Sequence, residues 1–161
     1  MKVLRFVLIL GVLLTTGTVS ADKMWRFGGG VILDGMVTGV GIAVDVPTRG
    51  GMFGFSIAAD YYTKSGTTTA PIRGFVTYRT PVRSWVDFYV GAGSGIVYSK
   101  ISVVDISLPS TKLLASAVGG LHFKLSESSG IYSELSMDRP FTSGAKNNTA
   151  FRVGVSFGAS K

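Results

Sequence analysis

The chemistry available to this sequence rests on eleven ionisable side chains set at alternate positions of short apolar segments: Arg26, Asp45, Asp60, Arg73, Arg79, Asp87, His122, Lys124, Glu134, Asp138 and Arg152. His122 apart, five are basic and five acidic. Charges held away from water must be paired. Such a set can serve as an ion path or charge relay, or as a salt-bridged plug. Simple hairpin registers set Asp60 against Arg73, Arg79 against Asp87, His122 against Glu134 and Asp138 near Arg152, with Lys124 approaching Asp87 and Arg26 diagonal to Asp45.

His122 is the single histidine, and a histidine oriented by a carboxylate is half of a Ser-His-Glu triad. No serine nucleophile is read beside it on the same face, so no catalytic residue is expected and the chain is read as a non-enzyme. With one His and no Cys, no metal site and no cofactor are expected. The glycine strings at 28–30 and 91–95 lie within strands rather than opening helices, so they are not phosphate loops.

The elements that must position these charges show a period of two, the mark of half-buried strands. Eight segments can be read, at 24–33, 37–46, 52–62, 71–80, 85–98, 112–125, 131–138 and 149–159. Turn signals separate them: Asp34-Gly35, PTRGG at 47–51, PVRS at 81–84 and SESSG at 126–130. The longer connections are 63–69, 99–111 and 139–148; the second contains Val103, Val104, Ile106 and Leu108 and is expected to extend its hairpin as an exposed edge, either open to a partner strand or without one. Each strand has a bulky apolar face and a small or polar one. The last sets Phe151, Val153, Val155 and Phe157 against Arg152, Gly154, Ser156 and Gly158; the second sets Val40, Ile42, Val44 and Val46 against Gly39, Gly41, Ala43 and Asp45. Phe75, Trp85, Tyr89 and Tyr132 fall on the polar face, and Ser94 and Ser133 on the apolar one.

Residue size decides which face points inward. An eight-stranded barrel has an interior just wide enough for side chains to fill, and the Gly, Ser and Ala face suits it. The bulky face is nearly free of charge, a band that lipid accepts and water does not. Only 16% of residues are charged, against about 25% in ordinary soluble domains. The expected fold is therefore all-β, an eight-stranded antiparallel up-and-down transmembrane β-barrel, the one sheet that crosses a bilayer without unpaired backbone groups. A solute pore would need about sixteen strands, so a plugged lumen is expected, with a narrow ion channel as an alternative.

Residues 1–21 read as a secretory signal peptide: Lys2 and Arg5, the apolar run FVLILGVLL, and Val19-Ser20-Ala21 before the cut. Residues 22–161 are expected to form the barrel domain. The formal charge of +7 is scattered, so no nucleic-acid partner is expected. With the first strand starting on the periplasmic side, Trp25, Phe27, Phe53, Tyr78, Phe88, Phe123 and Phe157 gather at one membrane boundary and Tyr61, Tyr98 and Phe151 at the other. Such a pair of aromatic girdles is expected of outer-membrane barrels.

The signal peptide, the eight alternating segments and the final strand TAFRVGVSFG resemble those of the small eight-stranded outer-membrane barrels of Gram-negative bacteria, the porin-like surface antigens that include the barrel domain of outer membrane protein A and the outer membrane protein X type. The resemblance covers the whole mature chain. It implies an outer-membrane protein with a structural or surface-interaction role, a barrel-assembly machinery that reads the last strand, and lipid and lipopolysaccharide as its surroundings. A monomer is expected, with any extracellular ligand at loops 63–70, 99–111 and 139–148. In this group the assembly strand usually ends on an aromatic, whereas here four residues follow Phe157. Some relatives are lipid A-modifying enzymes, which makes a site centred on His122 and Glu134 a further alternative. The deacylases among them carry a serine two residues after the histidine, where this chain has Lys124.

Overall fold

In the computed structural model, which describes residues 23–48, 52–103 and 106–158, eight antiparallel strands close into a single barrel in the order of the chain. They are β1 (Met24–Ile32), β2 (Val37–Pro47), β3 (Phe53–Lys64), β4 (Thr67–Arg83), β5 (Val86–Val103), β6 (Ile106–Lys124), β7 (Ser129–Pro140) and β8 (Asn148–Phe157). The expected signal peptide lies outside the described residues. Closure comes from β1 pairing with β8, where Trp25 faces Phe157. Stepping from Trp25 partner by partner through β2 to β7 leads instead to residue 147 on the last connection, so the circuit closes with a stagger of ten residues. A stagger of this kind tilts the strands by about 40° to the barrel axis.

The burial pattern is that of a soluble protein turned inside out. Arg73 and Glu134 are each 1% exposed, whereas Val40 is 65% and Phe55 58% exposed. In β7 the inward set Gly130, Tyr132, Glu134, Ser136 and Asp138 is buried, and Ile131, Leu135 and Met137 face out. A continuous apolar band of this kind is stable against hydrocarbon. One rim, where β1 and β3 begin, holds paired aromatics: Trp25 stacks on Phe27 with ring centroids 6.5 Å apart, and Phe53 meets Tyr78 at 5.3 Å. Val44 and Val86, which alternation puts outside, are buried; each shares a rung with a large aromatic, Trp25 or Phe123.

Aromatic residues also fill the lumen. Phe75 and Tyr89 pack with Ala43, Ala58 and Val118 in one layer, and Tyr62 packs with Ile32 and Ala150 in another. They fit because facing strands carry glycine: a Cβ added to Gly120 would lie 2.6 Å from the Tyr89 ring. Trp85, which the period places on the polar face, instead occupies the β4–β5 turn, 53% exposed, its ring 6.0 Å from that of Phe123.

The connections at the far rim are shorter than the sequence suggests. Residues 63–70 are not a loop, because β3 runs to Lys64 and β4 starts at Thr67. Ser65 and Gly66 turn the chain alone, both at positive φ (45° and 81°), the two-residue geometry that matches strand twist. Residues 99–111 extend the β5–β6 hairpin, as their aliphatic residues lead one to expect, with Val103 paired to Ile106. The third connection shrinks to 141–147 between β7 and β8.

Gly120→Val should push Tyr89 out of its place. Overpacking of this kind costs about 1–3 kcal/mol, to be read as a lower urea midpoint in lipid vesicles.

Candidate functional site in the lumen

Because side chains alternate, all of the eleven ionisable residues except Lys124 and Arg79 are buried inside the barrel. Closure of the sheet brings them into one chain of alternating sign. Arg79 reaches Asp45 at 3.1 Å, and Asp45 reaches Arg26 at 3.0 Å. Arg26 pairs with Glu134, which pairs with Arg152. Arg152 holds Asp60 at 2.5 Å, Asp60 pairs with Arg73, and Arg73 ends on Asp138 at 3.1 Å. Four arginines thus alternate with four carboxylates, and the chain runs from the rim that holds the start of β1 to the far half of the lumen.

Neutral groups complete it. Tyr89 donates its hydroxyl to Glu134 at 2.8 Å and accepts from Arg26 at 2.9 Å. Ser116 donates to Asp138 at 2.5 Å, and Arg26 also reaches Ser56 at 3.2 Å. The Arg26 guanidinium lies over two rings, 5.3 Å from Tyr89 and 5.1 Å from Tyr132. In a low-dielectric interior each such contact counts for more than it would in water. The tyrosines were legible as aromatics on the wrong face, but their role in bracing arginines was not.

Several partners differ from those that simple hairpins suggest. Arg79 does not meet Asp87: Asp87 faces Pro81, beside a register shift between Pro81 and Arg83, and Arg79 turns to Asp45. His122 does not meet Glu134. It faces Tyr132, two positions away, while Glu134 faces Gly120 and Arg152. Asp138 faces Asn148 and bonds to Arg73, leaving Arg152 to Asp60 and Glu134. Asp60 and Arg73 do pair, although Arg73 faces Ala58 on the ladder, because its long side chain spans the diagonal.

A second, smaller group sits at the rim where β5 and β7 begin and β6 and β8 end. Lys124 reaches Asp87 at 2.9 Å, and His122 lies beside the same carboxylate. The residue missing from the sequence reading is Ser156, whose Oγ is 2.7 Å from His122 Nε2. It belongs to β8, two strands from β6, and only closure brings the two together. No group of His, Cys, Asp and Glu among the described residues has the arrangement of a metal site.

Glu134→Ala, which strands two buried arginines, should destabilise the barrel by about 3–5 kcal/mol. Lys124→Ala takes a 35% exposed ammonium at the rim from the buried carboxylate of Asp87 and should cost less, about 1–3 kcal/mol. Urea unfolding of both variants in vesicles measures the contrast.

No protein-family model and no curated protein matches the chain. Solved structures do. The N-terminal β-barrel domain of Pseudomonas aeruginosa OprF superposes with a TM-score of 0.65 at 13% identity, covering 85% of this chain and 97% of that one. Ail, the attachment invasion locus protein of Yersinia pestis, gives 0.61 at 12% identity, with 85% and 96% covered. The outer membrane enzyme PagL gives 0.50 at 11%, with 85% and 99% covered. The chain is therefore similar in fold to the small eight-stranded outer-membrane barrels, over nearly their whole length.

Proposed function

From this shared fold and the continuous charge chain of the lumen, we propose that the protein is an integral outer-membrane barrel, exported by its first 21 residues, with a structural or surface-interaction role and no pore. The observation that carries this reading is the alternating ion-pair chain, whose members Arg26, Glu134, Arg152, Asp60 and Arg73 are each no more than 5% exposed. An ion entering the lumen would have to break pairs between buried charges, each break costing several kcal/mol. The protein then stands as a monomer in lipid and lipopolysaccharide, placed there by the barrel-assembly machinery, with no nucleic-acid partner.

Surface contact falls to the far rim. The β5–β6 hairpin continues past Tyr98, the aromatic at that boundary, for five further rungs, or about 16 Å of strand. There Ile101 and Leu108 face each other across the two strands, 50% and 66% exposed. Strand β7 joins β6 only from Leu114. The edge of β6 from Ile106 to Lys112 therefore has no strand partner among the described residues, and an unpaired edge with exposed apolar side chains suits an extended partner segment. Pro109 within it limits self-association.

Recordings from the protein in planar bilayers should show no steady openings; uniform stepwise conductance would replace this reading with the channel. Trypsin applied to intact cells should cut at Lys100, Lys112 or Lys146 and spare Arg83, and the reverse pattern would invert the topology.

A further inference from the structure

Three side chains that the ion-pair chain does not use lie in line at the periplasmic mouth. Ser156 Oγ is 2.7 Å from His122 Nε2, and the opposite ring nitrogen, Nδ1, is 3.9 Å from Asp87 Oδ2. All three point inward, from β8, β6 and β5, and Asp87 and His122 are direct cross-strand partners. Each is within three residues of the periplasmic end of its strand. The other carboxylate oxygen of Asp87 is held by Lys124 at 2.9 Å, which fixes the acid beside the ring. Lys124, with its 35% exposed side chain, carries the group to the open mouth.

Two features go beyond ordinary polar packing. His122 Nδ1 is buried with no hydrogen-bond partner, a state that folded proteins seldom leave unexplained. Catalytic hydrogen bonds are often long in an unliganded site and tighten only around substrate, and Nδ1 to Asp87 is the one bond needed to complete the array. The second feature is Gly130. A Cβ there would lie 2.5 Å from His122 Nε2 and 3.0 Å from Ser156 Oγ, so any side chain at 130 would push the ring or the hydroxyl aside, and glycine is what lets these two atoms meet.

We infer that Ser156, His122 and Asp87 form a nucleophilic site that accepts small carboxylic esters from the periplasmic side. Geometry and roles, not sequence position, define such a triad. With Ser156 donating to Nε2, the ring proton sits on Nδ1, toward Asp87. Ser156 Oγ attacks the ester carbonyl carbon as its proton passes to Nε2. The carbon–oxygen bond to the alcohol then breaks, and the departing alkoxide takes that proton. The acyl group remains on Oγ until water, deprotonated by Nε2, adds to the carbonyl, the acid is released and Oγ recovers its proton. The site is separate from the plug, and the absence of a pore does not bear on it.

The test uses the full barrel folded in detergent micelles and a fluorophosphonate probe, with the adduct located by peptide mass spectrometry. The label is expected on Ser156 and not on Ser116 or Ser136, lumen serines that serve as internal controls. His122→Gln should slow labelling about 100-fold or more, and p-nitrophenyl acetate should release a burst of about one p-nitrophenolate per chain. No adduct on Ser156, or one shared evenly with Ser116 and Ser136, would overturn the inference. So would an unchanged rate in a His122→Gln barrel that still migrates as folded protein on an unboiled gel. If that variant does not fold, the position of the label on the unaltered protein decides.

Discussion

The need to neutralise charge inside a narrow, low-dielectric cylinder governs this structure. Four arginines and four carboxylates, from Arg79 to Asp138, form a chain in which every inner member touches two charges of opposite sign. Charges buried singly would cost several kcal/mol each, and the alternation offsets that cost along the whole lumen. Six of the eight strands contribute a member of the chain, so the charges also specify which strands must come together. A barrel whose outer face is uniformly apolar gains little specificity from that face, and register has to be written mainly on the inner one.

Glycine and tyrosine make the charge chain possible. A stagger of ten over eight strands gives an interior that side chains can fill, but only if large residues on one strand meet small ones on the next. Gly120 makes room for Tyr89, and Tyr89 in turn holds both Arg26 and Glu134. The same economy of space applies at the mouth where β6 and β8 end, with Gly130 beside His122 and Ser156. Lumen chemistry is thus set as much by where side chains are absent as by where they are present.

How much of this the sequence discloses depends on distance along the chain. Period-two alternation is local, so strand faces, the closed eight-stranded fold and the inward placement of the charges are readable directly. Pairs on neighbouring strands with long side chains, such as Asp60 with Arg73 or Lys124 with Asp87, tolerate a register error of two residues and are readable as well. Arg79 with Asp87 and His122 with Glu134 do not tolerate it, because turn length and the irregularity at Pro81 move each hairpin out of simple register. Arg26 with Glu134 and Arg152 with Asp60 cross the lumen between residues 108 and 92 positions apart. Such contacts exist only once β1 has met β8, and no hairpin rule contains them. Ser156 beside His122 is of the same kind. The extended β5–β6 hairpin, by contrast, is readable, because Val103, Val104, Ile106 and Leu108 within 99–111 are strand formers that a plain loop would not carry.

The pair that links the two halves of the charge chain is Glu134 with Arg152, and exchanging its charges tests the account most directly. Urea unfolding in vesicles would compare Glu134→Arg, Arg152→Glu and the double exchange. If alternation of sign holds the lumen together, each single change leaves like charges in contact and sharply lowers stability, while the double exchange recovers a large part of the loss. Additive losses in the double variant would contradict the account, and the packing of Tyr89, Tyr62 and Phe75 would then have to carry the stability assigned here to charge.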